Sequence, residues 1–321
     1  MVKFKDLFVN VRKSLLKITS RVRLRSMLII FFIFIIVVPI TIVVNISLKY
    51  SKQIIQHETS VLVANTISQV STNIDEMLQG SVISVSNFLL HDERIHDILT
   101  KKYNYENADY NKDVKVDELT LSNKILFQYT ATYDYIKIAV LYGRNGHIYN
   151  ITFPRQTEEV LRQELDKIQQ RIKPDNKTIQ FLSLQKNVFN AQPSSNARED
   201  NVTLAVSRIF DYSTMQYKGL CIFTIFEQAI YEKYMNVKIG KTGKIFIIDE
   251  NGGLISHMDE NALKAKNINS VWIENALANK NKSFTFTEKG KAYLGYTHAS
   301  GLTGWITVGI VPLNELTEEM N

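Results

Sequence analysis

The first hydrophobic feature of the chain is a long stretch without ionisable side chains. None occurs between Arg25 and Lys49, and residues 27–44 are apolar apart from one proline and one threonine. A helix needs about 20 mainly apolar residues to cross the hydrocarbon core of a bilayer. The pattern therefore predicts a transmembrane helix over residues 27–48.

The segment before this stretch is short and basic. Residues 1–26 contain eight basic residues and one acidic residue, and loops rich in Lys and Arg stay on the cytoplasmic side of a membrane. We therefore predict a cytoplasmic basic tail over residues 1–26 and, in a cell membrane protein, an extracytoplasmic location for residues 49–321. A cleaved secretory signal is the alternative. The length of the apolar run and the lack of a small-x-small cleavage site after it count against that alternative.

A helical pattern follows over residues 49–99. Its apolar positions recur mostly at spacings of three and four, without an intervening proline, at Ile67, Val70, Ile74, Met77, Leu78, Val85 and Leu89. We predict one long signalling helix that leaves the membrane. Its second half, from Ile74, should pack on its own domain. Its first half is too polar to be buried all round, which favours self-association with the same helix of a second copy.

The next region switches from helical to alternating periodicity. Residues 101–118 are polar and predict a loop or a loose helix, whereas residues 136–142 alternate as in a strand. Asn145-Gly146 then stands between two alternating runs, which is the strongest short signal of a β-hairpin. A helix over 157–172, a polar loop over 186–200 and strands over 202–209 and 219–226 complete this unit.

A second, shorter unit repeats the plan. Its strands are predicted at 244–248 and 254–257 around Asn251-Gly252, followed by a helix at 270–279 and strands at 283–288, 291–297 and 304–311. Each unit thus has a hairpin, a helix on the sheet and then antiparallel strands. The fold class is α+β, with two tandem antiparallel-sheet modules after the membrane helix.

The positive net charge of the chain comes from its N-terminal tail. The whole chain carries a formal net charge of +6, but 30 basic and 31 acidic residues remain when residues 1–26 are left out. We therefore expect the basic residues of the tail to contact anionic lipid headgroups, and we predict no nucleic-acid partner. A single cysteine, Cys221, excludes an internal disulfide within the chain.

The sequence contains no catalytic constellation. The six histidines are scattered, and His91 and His96 stand five residues apart rather than at the i, i+4 spacing of shared metal ligands. The glycine-rich run at 240–244 fails the spacing of a phosphate-binding loop. We therefore predict no catalytic residues, no metal and no cofactor, and an extracytoplasmic enzyme is the least favoured class.

Several segments resemble the double Cache sensor, the tandem PAS-like extracytoplasmic module of bacterial receptors. FIIDENGGLISH (246–257) resembles its membrane-proximal hairpin and GWITVGIVP (304–312) its last strand. VSRIFD (206–211) and GLCIFTI (219–225) resemble the closing strands of its distal unit. The resemblance implies a membrane-distal Cache module over 100–229 and a membrane-proximal one over 230–315.

The start of the chain narrows the resemblance. The basic tail, one membrane helix, ISQVSTNIDEML (67–78) and NFLLHDERIHDIL (87–99) are similar to sensor histidine kinases of the YesM type. In that family a second membrane helix, a HAMP linker and a kinase domain follow the last strand. The resemblance therefore implies a sensing region that is truncated before the second membrane helix. Residues 316–321 would begin the segment that leads back to the membrane.

The first module is richest in groups suited to a ligand pocket. Tyr133 precedes its first strand, Tyr149 and Arg155 lie on or after the second, and Arg208 and Asp211 end the third predicted strand. An Arg and an Asp near aromatic rings suit a zwitterion or a hydroxyl-rich ligand. The Arg-x-Trp-Tyr signature of amino-acid-binding Cache domains is absent, which leaves sugars, peptides, organic acids or a protein partner open.

The sequence-based prediction is the sensing region of a two-component sensor histidine kinase. A small molecule or a ligand-loaded solute-binding protein would bind the distal module and repack the helices of a homodimer. The first alternative is the input half of a chemoreceptor or a cyclic-nucleotide-signalling receptor. The second, from another class, is a membrane-anchored structural or adhesion protein without signalling output.

Overall fold

Two compact units make up the chain, residues 1–58 and 59–321. The computed structural model describes residues 24–104, 106, 107, 109–133, 135–151, 156–173, 179–189, 194, 196–211, 213–265 and 270–315. The described part of the first unit is helical throughout, and most of its described apolar side chains are exposed. Among the described residues, one helix near the N-terminus is long and apolar enough to cross a membrane. Length and composition thus support a membrane anchor.

Helices form the first part of the described chain. Helix α1 spans Leu24–Leu78, a π-helical turn spans Gln79–Ile83, and α2 spans Ser84–His91. A separate helix α3 follows at Glu93–Thr100, because Asp92 adopts an extended conformation and its carboxylate accepts a bond from the backbone nitrogen of Arg94 at 3.0 Å. The predicted helix over 49–99 is therefore interrupted at Asp92, about two turns before its end.

The stretch predicted as loop or loose helix contains a regular helix. Helix α4 covers Tyr110–Leu119 and continues through a π-helical segment at Thr120–Leu126 into α5, Phe127–Thr132. Helix α4 has no fully buried residue, so the sequence offered little amphipathic signal for it.

The first sheet is antiparallel with the strand order β2-β1-β5-β4-β3. Its strands are β1 Ile136–Gly143, β2 Ile148–Asn150, β3 Ile179–Lys186, β4 Asn201–Phe210 and β5 Tyr217–Phe226. Helix α6, Glu158–Arg171, lies between β2 and β3 in the chain and the four-residue helix α7, Ala197–Asp200, precedes β4. We call β1–β5 with α6 and α7 the first module.

The second sheet repeats the same order as β7-β6-β10-β9-β8. Helix α8, Glu227–Glu232, connects the sheets. The strands are β6 Lys244–Ile248, β7 Leu254–His257, β8 Ser283–Glu288, β9 Lys291–Ala299 and β10 Ile306–Pro312, with α9 Glu260–Ala265 and α10 Ser270–Ala278. We call β6–β10 with α9 and α10 the second module. The α+β fold with two antiparallel sheets is confirmed.

Strand β3 was not predicted. It forms the edge of the first sheet, where it pairs only with β4 among the described strands. Its register shifts between Leu182 and Gln185, and the following residues are half-buried or exposed. This irregularity weakens the alternation that marks a strand in sequence.

The helical segment from residue 59 onward packs against both sheets. Its buried side chains Ile67, Ile74, Leu78 and Leu89 belong to one core cluster with Leu141 and Phe223 of the first sheet and Ile245 and Ile247 of the second. The expectation that the second half of this helix packs on its own domain is confirmed.

Polar contacts fix this helix to both modules. Ser300 Oγ, after β9, donates to Asp75 Oδ1 at 2.8 Å, and Tyr135 Oη, before β1, donates to the carbonyl of Met77 at 3.2 Å. Burial raises the pKa of the Asp75 carboxyl, against the lowering effect of the Ser300 hydroxyl. Two residues of one helical turn are thus held by different modules.

Close approach of the helix to the second sheet depends on Gly309 of β10. A Cβ atom at this position would lie 2.5 Å from Cδ1 of Ile67, whose side chain is fully buried. Only a residue without a side chain leaves room for Ile67 at this crossing.

Candidate ligand-binding sites

Tyr149 lies in an aromatic cluster at the hairpin side of the first sheet. We define the tyrosine–histidine cluster as Tyr103, Tyr110, His147 and Tyr149. The hydroxyls of Tyr103 and Tyr149 are 3.1 Å apart, and the ring centroids of Tyr103 and His147 are 4.4 Å apart at an edge-to-face angle. The hydroxyl of Tyr110 lies 3.4 Å from His147 Nε2.

Charged groups complete this cluster on its exposed side. Tyr103 Oη donates to Asp117 Oδ2 at 2.7 Å, and Lys101 Nζ lies 2.8 Å from the same oxygen. Burial raises the pKa of Tyr103 and of Tyr149, and it lowers the pKa of His147. The phenols therefore stay protonated at neutral pH, and the cluster supplies hydrogen bonds and ring faces rather than a nucleophile.

Tyr133 lies apart from this cluster, at the end of α5. Its ring is half-buried and its centroid is 6.0 Å from that of Tyr135. It is packed against the core cluster shared by the helix and both sheets. Arg155, another predicted contact residue, lies outside the described residues.

Arg208 and Asp211 lie at the far end of β4. Arg208 Nη2 donates to the carbonyl of Lys173 at 3.1 Å. Asp211 caps the turn that follows: its Oδ1 accepts from the hydroxyl of Ser213 at 2.6 Å and from the backbone nitrogen of Thr214 at 3.1 Å. These bonds, led by that of Ser213, lower the pKa of the Asp211 carboxyl.

The structure places Tyr149 and Arg208 on opposite faces of the first sheet. Tyr149 shares the core cluster of Leu141 and Ile209, which faces the long helix. Arg208 alternates with Ile209 along β4 and so lies on the other face, where Val206 packs with residues of α6. The predicted contact residues that the structure describes therefore do not share one pocket, and a ligand role for each of the five stays a prediction.

Two tyrosines accompany Arg208 on the α6 face. Tyr217, on β5, interacts electrostatically with Arg208 and Tyr142, and burial raises its pKa to about 12. We call Arg208, Tyr142 and Tyr217 the Arg208 group. It combines a cation with two phenols at the end of the sheet, which suits an anionic or hydroxyl-bearing ligand.

Sequence reasoning missed a cleft between the two modules. Its volume is about 330 Å³, and its lining includes Arg171 and Lys173 on one side and Asp249 and Glu250 on the other. Lys173 Nζ pairs with Glu250 Oε1, and Ser183 Oγ donates to Asp249 Oδ2 at 2.5 Å. Asp249 also caps the following turn, because its Oδ1 accepts from the backbone nitrogens of Asn251 and Gly253.

Sequence reasoning also missed a buried ion pair where the two modules meet. Arg198 on α7 and Glu227 on α8 are 7% and 0% exposed. Residues 186–200 were predicted as a polar loop, and nothing in the sequence near Arg198 marks its partner 29 residues later. Among the described residues, no group of three or more His, Cys, Asp or Glu side chains is arranged to hold a metal ion.

Comparisons with known proteins agree with this architecture. The family model dCache_1, described as a Cache domain, matches residues 47–320. None of the curated proteins compared with the chain matches it.

Solved structures with the same fold include chemoreceptor sensory domains. The sensory domain of Campylobacter jejuni Tlp3 with isoleucine bound is 12% identical, with a TM-score of 0.59 over 84% of this chain and 98% of that one. C. jejuni Tlp1 is 14% identical, with a TM-score of 0.55 over 83% and 99%. The ligand-binding domain of Pseudomonas fluorescens CtaA with L-isoleucine is 13% identical, with a TM-score of 0.53 over 84% and 98%. At these identities the likeness concerns the fold.

Proposed function

The chain belongs to the Cache domain family, and from this premise we propose that it is the extracytoplasmic ligand-sensing region of a membrane-anchored receptor. One observation carries the proposal: the family match begins at residue 47, where the uncharged apolar segment ends. A sensor placed directly after a membrane anchor is suited to reporting an external ligand. The cytoplasmic side of the N-terminus follows from the basic tail.

A reporter fusion tests this orientation. Alkaline phosphatase, which is active only outside the cytoplasm, is fused after residue 60 and, as the matched control, after residue 22. The first fusion should be active and the second inactive. Activity of the second fusion alone would overturn the orientation.

We place the ligand in the first module, at the Arg208 group. Arg208 is half-buried and its guanidinium donates to the carbonyl of Lys173. Tyr142 and Tyr217 lie on the same face of the sheet, and Leu220 of β5 pairs with both Arg208 and Tyr142. This set favours a small molecule with a carboxylate or another anionic group. The neighbours Tlp3 and CtaA are described with isoleucine, so amino acids belong in the panel beside organic acids, sugars and peptides.

Calorimetry on the full chain in detergent tests the ligand site. A member of the panel should bind the natural chain, and Arg208→Ala should weaken its binding by roughly tenfold or more, the cost of a charge-assisted contact. Arg162→Ala is the matched control, since Arg162 lies on α6 in an exposed pair with Glu158. Equal binding by the Arg208→Ala and Arg162→Ala variants would show that Arg208 does not contact the ligand.

A sensor histidine kinase is the output that the N-terminal resemblance favours, through residues 67–78 and 87–99. The chemoreceptor neighbours favour the second candidate, the input half of a chemoreceptor. Both use the same outer module, so the coding sequence downstream of Asn321 discriminates them. A kinase domain there predicts autophosphorylation with labelled ATP, whereas a long coiled-coil signalling domain would contradict the kinase proposal.

Dimerisation through the first half of the long helix is part of the proposal. Val61 and Leu62 are 41% and 63% exposed, so these two apolar side chains are available for contact with a second copy. Leu62→Cys should form a disulfide-linked dimer in membranes under mild oxidation, whereas Lys167→Cys on α6 should not. Cross-linking of neither variant, or of both equally, would count against this interface.

A further inference from the structure

A second small-molecule site is the inference that the junction of the modules supports. We propose that the cleft between the first and second modules binds a zwitterionic compound of amino-acid to dipeptide size. This site uses different side chains from the Arg208 group, and it does not depend on the receptor's output. The cleft volume of about 330 Å³ lies within the range of small-molecule pockets, about 300–1,000 Å³.

Opposite charges line the two walls of the cleft. The first module contributes Arg171, at the end of α6, and Lys173, whereas the second contributes Asp249 and Glu250 after β6. The ion pair of Lys173 and Glu250 crosses from one module to the other, with 66% and 51% of the two side chains exposed. Such an exposed pair is weak, so the carboxylate and the ammonium of a zwitterion can replace its two halves.

An aromatic floor lies between these walls. The rings of Phe181, on β3, and Trp305, before β10, meet edge to face with centroids 5.6 Å apart. Apolar ring surface between separated charges suits the side chain of an amino acid rather than a sugar or an inorganic ion.

Unused hydrogen-bonding capacity is present at the same place. In the part of the chain that the structure describes, the buried indole nitrogen Nε1 of Trp305 has no hydrogen-bond partner. A buried donor without an acceptor is uncommon in folded proteins. The Trp305 ring that carries this donor lines the cleft.

The backbone beside Trp305 leaves space for this ligand. Gly304 has a φ of +76°, and no heavy atom lies within 4 Å of a Cβ built on it. The chain therefore turns sharply at the cleft without filling it with a side chain. A ligand there contacts both modules at once and would bias their relative arrangement according to its differential affinity.

Tryptophan fluorescence offers a direct test, because the chain has two tryptophans. The other, Trp272, donates from Nε1 to Glu288 at 2.6 Å and stacks on Phe246. A Trp272→Phe chain leaves Trp305 as the reporter. The probes are L-leucine and glycyl-L-leucine, with N-acetyl-L-leucine and L-leucinamide as compounds that each lack one charge.

Saturable changes in Trp305 emission are expected with L-leucine or glycyl-L-leucine, and binding about tenfold weaker is expected with either singly charged compound. Lys173→Met and Glu250→Gln should each weaken binding by about tenfold. Lys167→Met is the matched control, on helix α6, which ends two residues before Lys173. Lys167 pairs with Glu164, and binding by this variant should stay within about twofold.

Two results would overturn the proposal. One is the absence of a saturable response to both zwitterions, while far-ultraviolet circular dichroism shows the Trp272→Phe chain folded. The other is an unchanged response in Lys173→Met and Glu250→Gln. Loss of the response in Arg208→Ala, with retention in both cleft variants, would instead assign the signal to the Arg208 group.

Discussion

Arg198 Nη1 lies 2.7 Å from Glu227 Oε2, and both side chains are buried where the two modules meet. The second guanidinium nitrogen donates to the carbonyl of His257, the last residue of β7, at 3.0 Å and to that of Met258 at 2.9 Å. The guanidinium carbon lies 3.6 Å from the centroid of the Tyr231 ring. One arginine of the first module thus contacts the connecting helix and the second module.

Removing one partner of this ion pair should destabilise the fold strongly. Arg198→Met leaves the Glu227 carboxylate buried, and the Ser256 hydroxyl is its remaining side-chain partner among the described residues. We expect a loss of about 3–5 kcal/mol in the free energy of unfolding, as for other broken buried pairs. Urea unfolding of the full chain in detergent, followed by circular dichroism, measures it.

The control for this prediction is an exposed pair on α6. Arg162 lies 2.6 Å from Glu158, and Arg162→Met should change the free energy of unfolding by less than about 1 kcal/mol. If the two variants lose similar free energies of unfolding, burial does not determine how much the Arg198–Glu227 pair stabilises the fold.

Gly309→Ala should weaken the packing of the long helix on the second sheet. The new methyl group would meet Cδ1 of the fully buried Ile67 at 2.5 Å, so the helix or the strand must shift. We expect a loss of about 1–3 kcal/mol in the free energy of unfolding. Gly80→Ala, in the π-helical turn with no heavy atom within 4 Å of a Cβ, should instead stabilise by about 0.5–1 kcal/mol. Stabilisation by Gly309→Ala would refute the close approach.

Acidification should destabilise the chain partly through His147. Burial lowers the pKa of His147 below its ordinary value of 6.5, so the folded state binds the proton less readily than the unfolded state does. Its contribution to stability is therefore present above about pH 6.5 and is lost as the pH falls from there through the lowered pKa. Unfolding measured at about pH 8 and about pH 5 gives this loss.

Substitution identifies the histidine responsible. His147→Gln should reduce the difference in stability between the two pH values, whereas His57→Gln, at an exposed position, should leave it unchanged. An undiminished pH dependence in His147→Gln would assign the acid loss to other groups, such as His257, whose pKa burial also lowers.

Local patterns were sufficient for much of the fold. The two Asn-Gly turns predicted both hairpins because Gly146 and Gly252 adopt positive φ, at +83° and +85°. Strands β4 and β5, predicted over residues 202–209 and 219–226, are buried over most of their length. Strand β3 could not be predicted in this way, because its register shift interrupts the regular alternation of buried and exposed side chains.

The sites were less accessible to sequence reasoning because their members are far apart in the chain. Tyr149 was selected, but Tyr103 lies 46 residues earlier in a stretch that had been interpreted as loop or loose helix. The partners Arg171 and Lys173 face Asp249 and Glu250 only because edge strand β3 lies beside the second module. No local pattern encodes such a juxtaposition.

The neighbouring anchors on the long helix have a mechanical consequence. Asp75 is bonded by Ser300 of the second module and the Met77 carbonyl by Tyr135 of the first. An axial slip by one residue is about 1.5 Å, enough to stretch both bonds beyond their normal length. The helix therefore couples the two modules mechanically. Movement along its axis would strain its hydrogen bonds to both modules at the same time.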